Sequence, residues 1–214
     1  MESHNGIFYP KENTSNVIKA LVSNRIWEKN IDSLLKKYIK KDWNCIDCGA
    51  YIGSHALTMS QLCSKVFLFE PQPLIFDCLA MTSQSLKIKN WKINNFGLSN
   101  FDNGCIDFGT NNDGDGRILK NQKKNWKFNI TIKTCKMDSL VLPKIDFIKI
   151  DVEGHEYEVL EGAELLIKKD RPIIIMETFN TKKNQEKLIK FVNENNYLIN
   201  EINKENYLLL PNCI

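Results

Sequence analysis

Five strand-sized apolar runs punctuate this chain: Trp43 to Ala50 (WNCIDCGA), Lys65 to Phe69 (KVFLF), Trp91 to Leu98, Ile145 to Asp151 (IDFIKID) and Pro172 to Thr178 (PIIIMET). Helix-compatible segments follow four of them, at Ser54 to Leu62, Leu74 to Leu86, His155 to Lys169 and Asn184 to Asn195. Strands this apolar are buried on both faces, which requires a parallel sheet covered by helices above and below. Right-handed crossovers then predict an α/β, doubly wound Rossmann-like sheet. Its ligand crevice lies at the carboxyl ends of the strands, where the strand order reverses. The turns after Ile46, Phe69, Leu98, Ile150 and Met176 are therefore the places to look for chemistry.

The rest of the chain is fitted around that sheet. Residues 15 to 40 carry helical periodicity, with Val17, Ile18, Leu21 and Val22 on one face and Ile31, Leu34, Leu35, Tyr38 and Ile39 on another. Residues 1–40 are thus expected to pack as an N-terminal helical extension on a single Rossmann-like domain, 41–214. Residues 100 to 143 are punctuated by glycine and asparagine. There Ile106-Asp-Phe108 and Phe128 to Thr134 alternate apolar and polar residues, predicting an inserted antiparallel hairpin. The loop from Asn111 to Arg117 reads either as part of an acceptor-side lid or as an ordinary hairpin turn. Tyr197 to Ile202 and Asn206 to Leu210 predict a terminal hairpin.

Composition narrows the partners only slightly. A chain of 214 residues with 43% hydrophobic content can bury a full core. The net charge of +3 includes only three arginines, Arg25, Arg117 and Arg171, so no electrostatic footprint for nucleic acid is visible. The polar start MESHNGIFYPKENTSN lacks the apolar run of a signal peptide. No stretch reaches the roughly 18 apolar residues of a membrane span, so a soluble, cytoplasmic protein is expected. Cys45-Ile-Asp-Cys48 is formally a C-x-x-C, but it sits in a strand without a second ligand pair. Buried reduced thiols are expected there rather than a zinc or redox site.

The first two strand exits carry the most specific chemistry. A dinucleotide site would read G-x-G-x-x-G, because a pyrophosphate needs backbone amides at a helix start. Here the turn is Asp47-Cys-Gly49-Ala50-Tyr51-Ile-Gly53, and the aspartate falls where the first glycine belongs. A carboxylate repels a diphosphate but suits a cationic group, with a small apolar body against Gly49 and Gly53. Glu70, followed by Pro71, ends the second strand, where an acid accepts hydrogen bonds from both ribose hydroxyls. A cationic amino-acid end, a ribose and no phosphate describe S-adenosylmethionine. The competing explanation is that Asp47 and Glu70 are surface acids at strand ends.

The segment from Ile145 through Asp151-Val-Glu153-Gly154-His155-Glu156 to Gly162-Ala163 closely resembles the FkbM family of S-adenosylmethionine-dependent methyltransferases, when joined with the Asp47-to-Gly53 turn and Phe69-Glu70-Pro71. The likeness covers about residues 25 to 180. Trp27-Glu28 looks like the family's tryptophan–acid pair in a helix covering the cofactor. Asp138-Ser139-Leu140 resembles its approach to the fourth strand, with Met137 in place of a leucine. The resemblance implies O-methylation, often of sugars or polyketide-derived hydroxyls, with S-adenosylhomocysteine as the product. On that basis Asp47, Gly49, Ala50, Tyr51, Gly53, Glu70, Pro71, Asp151 and Glu28 are the expected cofactor-binding residues.

Transfer from a sulfonium is an in-line displacement, so a site must place an acceptor oxygen against the methyl carbon, and a nearby base helps. Asp151, Glu153 and His155 leave the fourth strand at alternate positions and can converge on one point. His155 is the first choice of base, Asp151 an orienting group, and Glu153, His155 and Glu177 acceptor contacts. Alternatively His155 caps the following helix and Glu156 serves its dipole. Mg²⁺ on Asp151, Glu153 and Glu177 is possible but not favoured, and His55 is expected to be structural or a cofactor neighbour. Two rival functions stand beside a glycan O-methyltransferase: a nucleic-acid (RNA cap or ribose) methyltransferase, and a cofactor-binding subunit without catalysis. The fourth strand exit, Asp151-Val-Glu-Gly, lacks the D/N-P-P-Y/F that stacks a flipped base in amino-directed DNA enzymes.

Overall fold

The computed structural model describes residues 1–111, 117–119 and 127–212. Two short strands, β1 (Glu2–His4) and β2 (Ile7–Tyr9), pair antiparallel at the start. Their two-residue turn is Asn5-Gly6, both at positive φ, the backbone that a tight hairpin demands. Helices α1 (Asn16–Val22) and α2 (Lys29–Tyr38) follow. The helical periodicity from 15 to 40 is realised as two helices, one for each apolar face, and a hairpin precedes them. Asn24 and Glu28, both at positive φ, break the chain between them.

The main sheet is built from β3 (Asn44–Cys48), β4 (Lys65–Phe69) and β5 (Trp91–Asn94), with α3 (Ser54–Leu62) and α4 (Pro73–Ser85) as the crossovers. The chain then leaves it for a smaller sheet, β6 (Gly97–Leu98), β7 (Gly104–Thr110), β8 (Arg117–Ile118) and β9 (Phe128–Cys135). It returns through β10 (Phe147–Ile150), α5 (Glu156–Glu161), α6 (Glu164–Asp170), β11 (Ile173–Glu177), α7 (Lys182–Asn195), β12 (Tyr197–Glu201) and β13 (Asn206–Pro211).

The seven strands of the main sheet lie in the order β12-β13-β11-β10-β3-β4-β5. Strands β11, β10, β3, β4 and β5 run parallel, and β13 is antiparallel to both of its neighbours. The order reverses between β3 and β10, so their carboxyl ends frame a crevice. Alternate residues feed opposite cores: Ile46, Ile148 and Ile174 enter one, and Cys45, Phe147 and Ile175 the other. Cys45 and Cys48 therefore lie on opposite faces of β3 and form no ligand pair. Among the described residues no helix is long and apolar enough to cross a membrane.

Two local departures from the expected elements have physical causes. The helix expected from 155 to 169 is divided at Gly162, whose added Cβ would lie 1.9 Å from the Ser99 carbonyl oxygen. Asp138 restarts the helix, its carboxylate accepting from the amides of Leu165 and Leu166 at 2.9 Å each. The single strand expected from 91 to 98 is divided too, β5 staying in the main sheet while β6 pairs with β9. The inserted hairpin is present as β7 and β9, paired from Gly104↔Thr134 to Thr110↔Phe128. Most of the loop from Asn111 to Arg117, read above as a lid or a turn, lies outside the described residues.

Candidate active site

A cavity of about 600 Å³ opens at the reversal point. The strand ends supply its floor: Asp47, Gly49, Ala50 and Tyr51 after β3, Glu70 and Pro71 after β4, and Asp151, Glu153 and His155 after β10. Glu177, at the end of β11, reaches it as well, and Glu28 with Trp27 closes it from the start of α2. Of the residues singled out from sequence, Gly53 does not line the cavity. It stands behind the wall as the N-cap of α3, where an added Cβ would come within 2.9 Å of Trp91 and Leu79. Gly49 is also shaped by protein rather than by ligand, because its added Cβ would lie 1.8 Å from the Asp151 carbonyl oxygen.

The two acids read from the first turns differ in their wiring. Glu70 is buried, and its carboxylate accepts from the Tyr51 amide at 3.0 Å and the Gln72 amide at 2.9 Å. Burial outweighs those bonds and pushes its carboxyl up to about 7. Each oxygen keeps acceptor capacity toward the cavity. Asp47 is 1% exposed, and its Oδ1 has no hydrogen-bond partner among the described residues. Burial pushes its carboxyl up as well, opposed by Lys149 and His55.

Lys149 is the residue the sequence analysis passed over. It lies 5% exposed in the middle of β10, directly beside Asp47 in the parallel ladder. Its Nζ donates to Asp151 Oδ2 at 3.0 Å and stands 3.8 Å from Asp47 Oδ1. Burial works against its charge, but Asp151 and Asp47 hold the ammonium above its usual range. The signal was present: a lysine inside the otherwise apolar Phe147-Ile-Lys-Ile150 has no reason to be buried without an anion.

The acids after β10 and β11 line one cavity. Asp151 pairs with Lys149, and Glu177 faces Asp151 and Glu28 across the cavity. Burial first, and those two negative charges next, push Glu177 up to about 8. Glu153 sits at φ +56 and Gly154 at φ +99, which turns the chain sharply into α5. His155 occupies the N-cap position of α5, but its side chain makes no capping bond. Instead Nε2 meets Ser99 Oγ at 2.9 Å, and Nδ1 lies 3.6 Å from Glu158 Oε2. Glu156 accepts from the Gly154 amide at 2.6 Å and is pushed up to about 7 by burial. His55 is tied to Glu28, Nε2 to Oε2 at 2.9 Å. Among the described residues no group of three or more His, Cys, Asp or Glu side chains is placed to hold a metal ion.

The inserted sheet supplies a wall that the sequence left unassigned. Ile106 and Phe108 on β7, Ile132 and Thr134 on β9, and Gly97 and Leu98 on β6 all face the cavity. The i, i+2 spacing of the β7 and β9 pairs puts each of those pairs on one side of the sheet.

Comparison with known proteins gives this geometry its context. The chain is 37% identical over 141 residues to the hexuronic acid methyltransferase AglP of Haloferax volcanii, a match covering 63% of this chain and 56% of that protein. Its fold resembles the crystal structure of methyltransferase FkbM from Methylobacillus flagellatus, with a TM-score of 0.58, 14% identity and coverage of 90% of this chain and 52% of that one. It also resembles a putative methyltransferase of Streptococcus mutans in complex with SAH, with a TM-score of 0.54, 14% identity and coverage of 85% and 94%. The chain thus spans little more than half the length of the first two relatives. A methyltransferase FkbM domain model matches residues 47–207, from β3 to β13, and the chain belongs to that family.

Proposed function

We propose that this chain is an S-adenosylmethionine-dependent O-methyltransferase acting on a sugar hydroxyl of a glycan or glycoconjugate. The observation that carries this reading is the pair of buried carboxylates on adjacent strand ends, Asp47 and Glu70, facing one cavity. The fit can be tested on the residues themselves. Among the described residues Asp47 Oδ1 is buried without a hydrogen bond, with the Lys149 ammonium no nearer than 3.8 Å, and a donor from a ligand's ammonium suits it. Glu70, already oriented by two amides, has one acceptor site per oxygen left for a vicinal diol.

When bound, S-adenosylmethionine supplies an electrophilic methyl group on a sulfonium. Asp47 holds the amino-acid end, Glu70 the ribose, and the turn residues Ala50, Tyr51 and Pro71 the surface between them. Glu28 stands at the rim, joined to His55. Asp151 and Glu153 orient acceptor hydroxyls. The base role moves from His155 to Glu177. The imidazole is held by Ser99 and Glu158, whereas Glu177 lines the cavity with a carboxyl near 8, close to the optimum for a general base at neutral pH. No metal is proposed. The named activity of the Haloferax relative supports a sugar acceptor.

The test is direct: incubate the protein with isotopically labelled S-adenosylmethionine and a panel of monosaccharides, uronic acids, glycan fragments and RNA. Label on a sugar oxygen is expected. Transfer to RNA alone, or none to any acceptor despite bound cofactor, would remove the proposal in favour of a nucleic-acid enzyme or an inactive binding subunit.

A further inference from the structure

Lys149 has no part in the roles assigned above, yet it is the buried cation on which the two sides of the cavity meet. It stands on β10 opposite Asp47 of β3 and bonds Asp151 just beyond the end of its own strand. We propose that Lys149 is a positioning residue. Its ammonium, 3.0 Å from Asp151 Oδ2 and 3.8 Å from Asp47 Oδ1, fixes the direction and the charge of the two carboxylates together, so that Asp47 stays an anion for the cationic end of the cofactor. This deepens the reading given above and rests on it.

The physical need is clear from the surroundings. Asp47 is buried beside another acid, Asp151, and in that setting a lone carboxyl takes up a proton. A protonated Asp47 offers no charge to an ammonium. Lys149 and His55 of α3 are the cations that act on Asp47. Glu28 at the start of α2 and Glu177 at the end of β11 face the same lysine, and Glu70 at the end of β4 interacts electrostatically with Asp47. Neutralising Lys149 therefore leaves these acids facing one another across the cavity.

The experiment measures S-adenosylhomocysteine affinity by calorimetry between pH 6 and 9 for the wild type, K149M, K149Q, D47N and D47N/K149M. The lysine variants are expected to bind at least tenfold more weakly than wild type at pH 6. The gap should narrow as rising pH ionises Asp47. In the D47N background, removing Lys149 should add no pH-dependent loss. The proposal is overturned if K149M and K149Q keep the wild-type profile, or lose affinity equally at every pH, the mark of a merely structural lysine. It is overturned also if neither variant folds by circular dichroism. A wild type that binds no S-adenosylhomocysteine at any pH would instead sink the methyltransferase reading itself.

Discussion

At the scale of single residues, the proposed roles separate groups that grip from groups that react. Glu70 is oriented by backbone on one side and open on the other, so Glu70→Ala removes two functions together. Calorimetry should show S-adenosylhomocysteine binding at least tenfold weaker, equivalent to about 1.4 kcal/mol. Melting should also fall, since the Tyr51 and Gln72 amides lose their acceptor at roughly 1–3 kcal/mol per unsatisfied group. Glu177→Gln should leave that affinity near wild type and lower kcat about 10²-fold or more, the usual contribution of a general base. His155→Ala should do the reverse, costing stability through the lost Ser99 bond while kcat/KM changes little. A collapse of turnover in His155→Ala with an unchanged melt would return the base role to the imidazole.

At the scale of elements, the parallel strands and their acidic exits were legible because burial on both faces forces a continuous apolar run that few other structures tolerate. The acids that line the cavity were legible for the same reason, since Asp47, Glu70, Asp151 and Glu177 each lie at or near the end of such a run. What escaped was set by contacts distant in sequence. Gly162 is a local sign of the break in His155-to-Lys169, but the reason a glycine is required there, the Ser99 carbonyl lying over it, is distant in sequence. The hairpin at Asn5-Gly6 did carry a local signal, and the helical periodicity after it drew attention away. Lys149 was hidden by its neighbours, being read as one polar interruption of a core strand. The break in the helix also gives Asp138-Ser-Leu140 a physical meaning: its aspartate caps α6 from outside the helix. Asp138→Ala should destabilise by about 1 kcal/mol in urea titration, within the range of a lost N-cap, without altering ligand affinity. No change in the midpoint would show that water replaces the cap fully.

For the molecule as a whole, placing so many acids at buried strand ends has a cost in stability that depends on pH. Glu70 and Glu156 move from an ordinary 4.5 to about 7, and Glu177 to about 8. Each binds its proton more tightly when folded, so each contributes stability that is complete below pH 4.5 and is lost as pH rises through 7 to 8. The ligand-free protein is therefore expected to melt at progressively lower temperature from pH 5 to pH 8, by scanning calorimetry at fixed ionic strength. A melting temperature that climbs over this interval would show that the three carboxyls are ionised in the fold.

The contact between Gly49 and Asp151 has a further implication for movement. The Asp151 amide bonds the Cys48 carbonyl at 3.0 Å, and the Asp151 carbonyl fills the space where any side chain at position 49 would go. The exits of the two central strands are thus riveted to each other, and the floor of the crevice is rigid. Whatever breathing admits one reactant and discharges another is then expected in its walls, the leading segment around Thr14 to Lys19 and the inserted sheet.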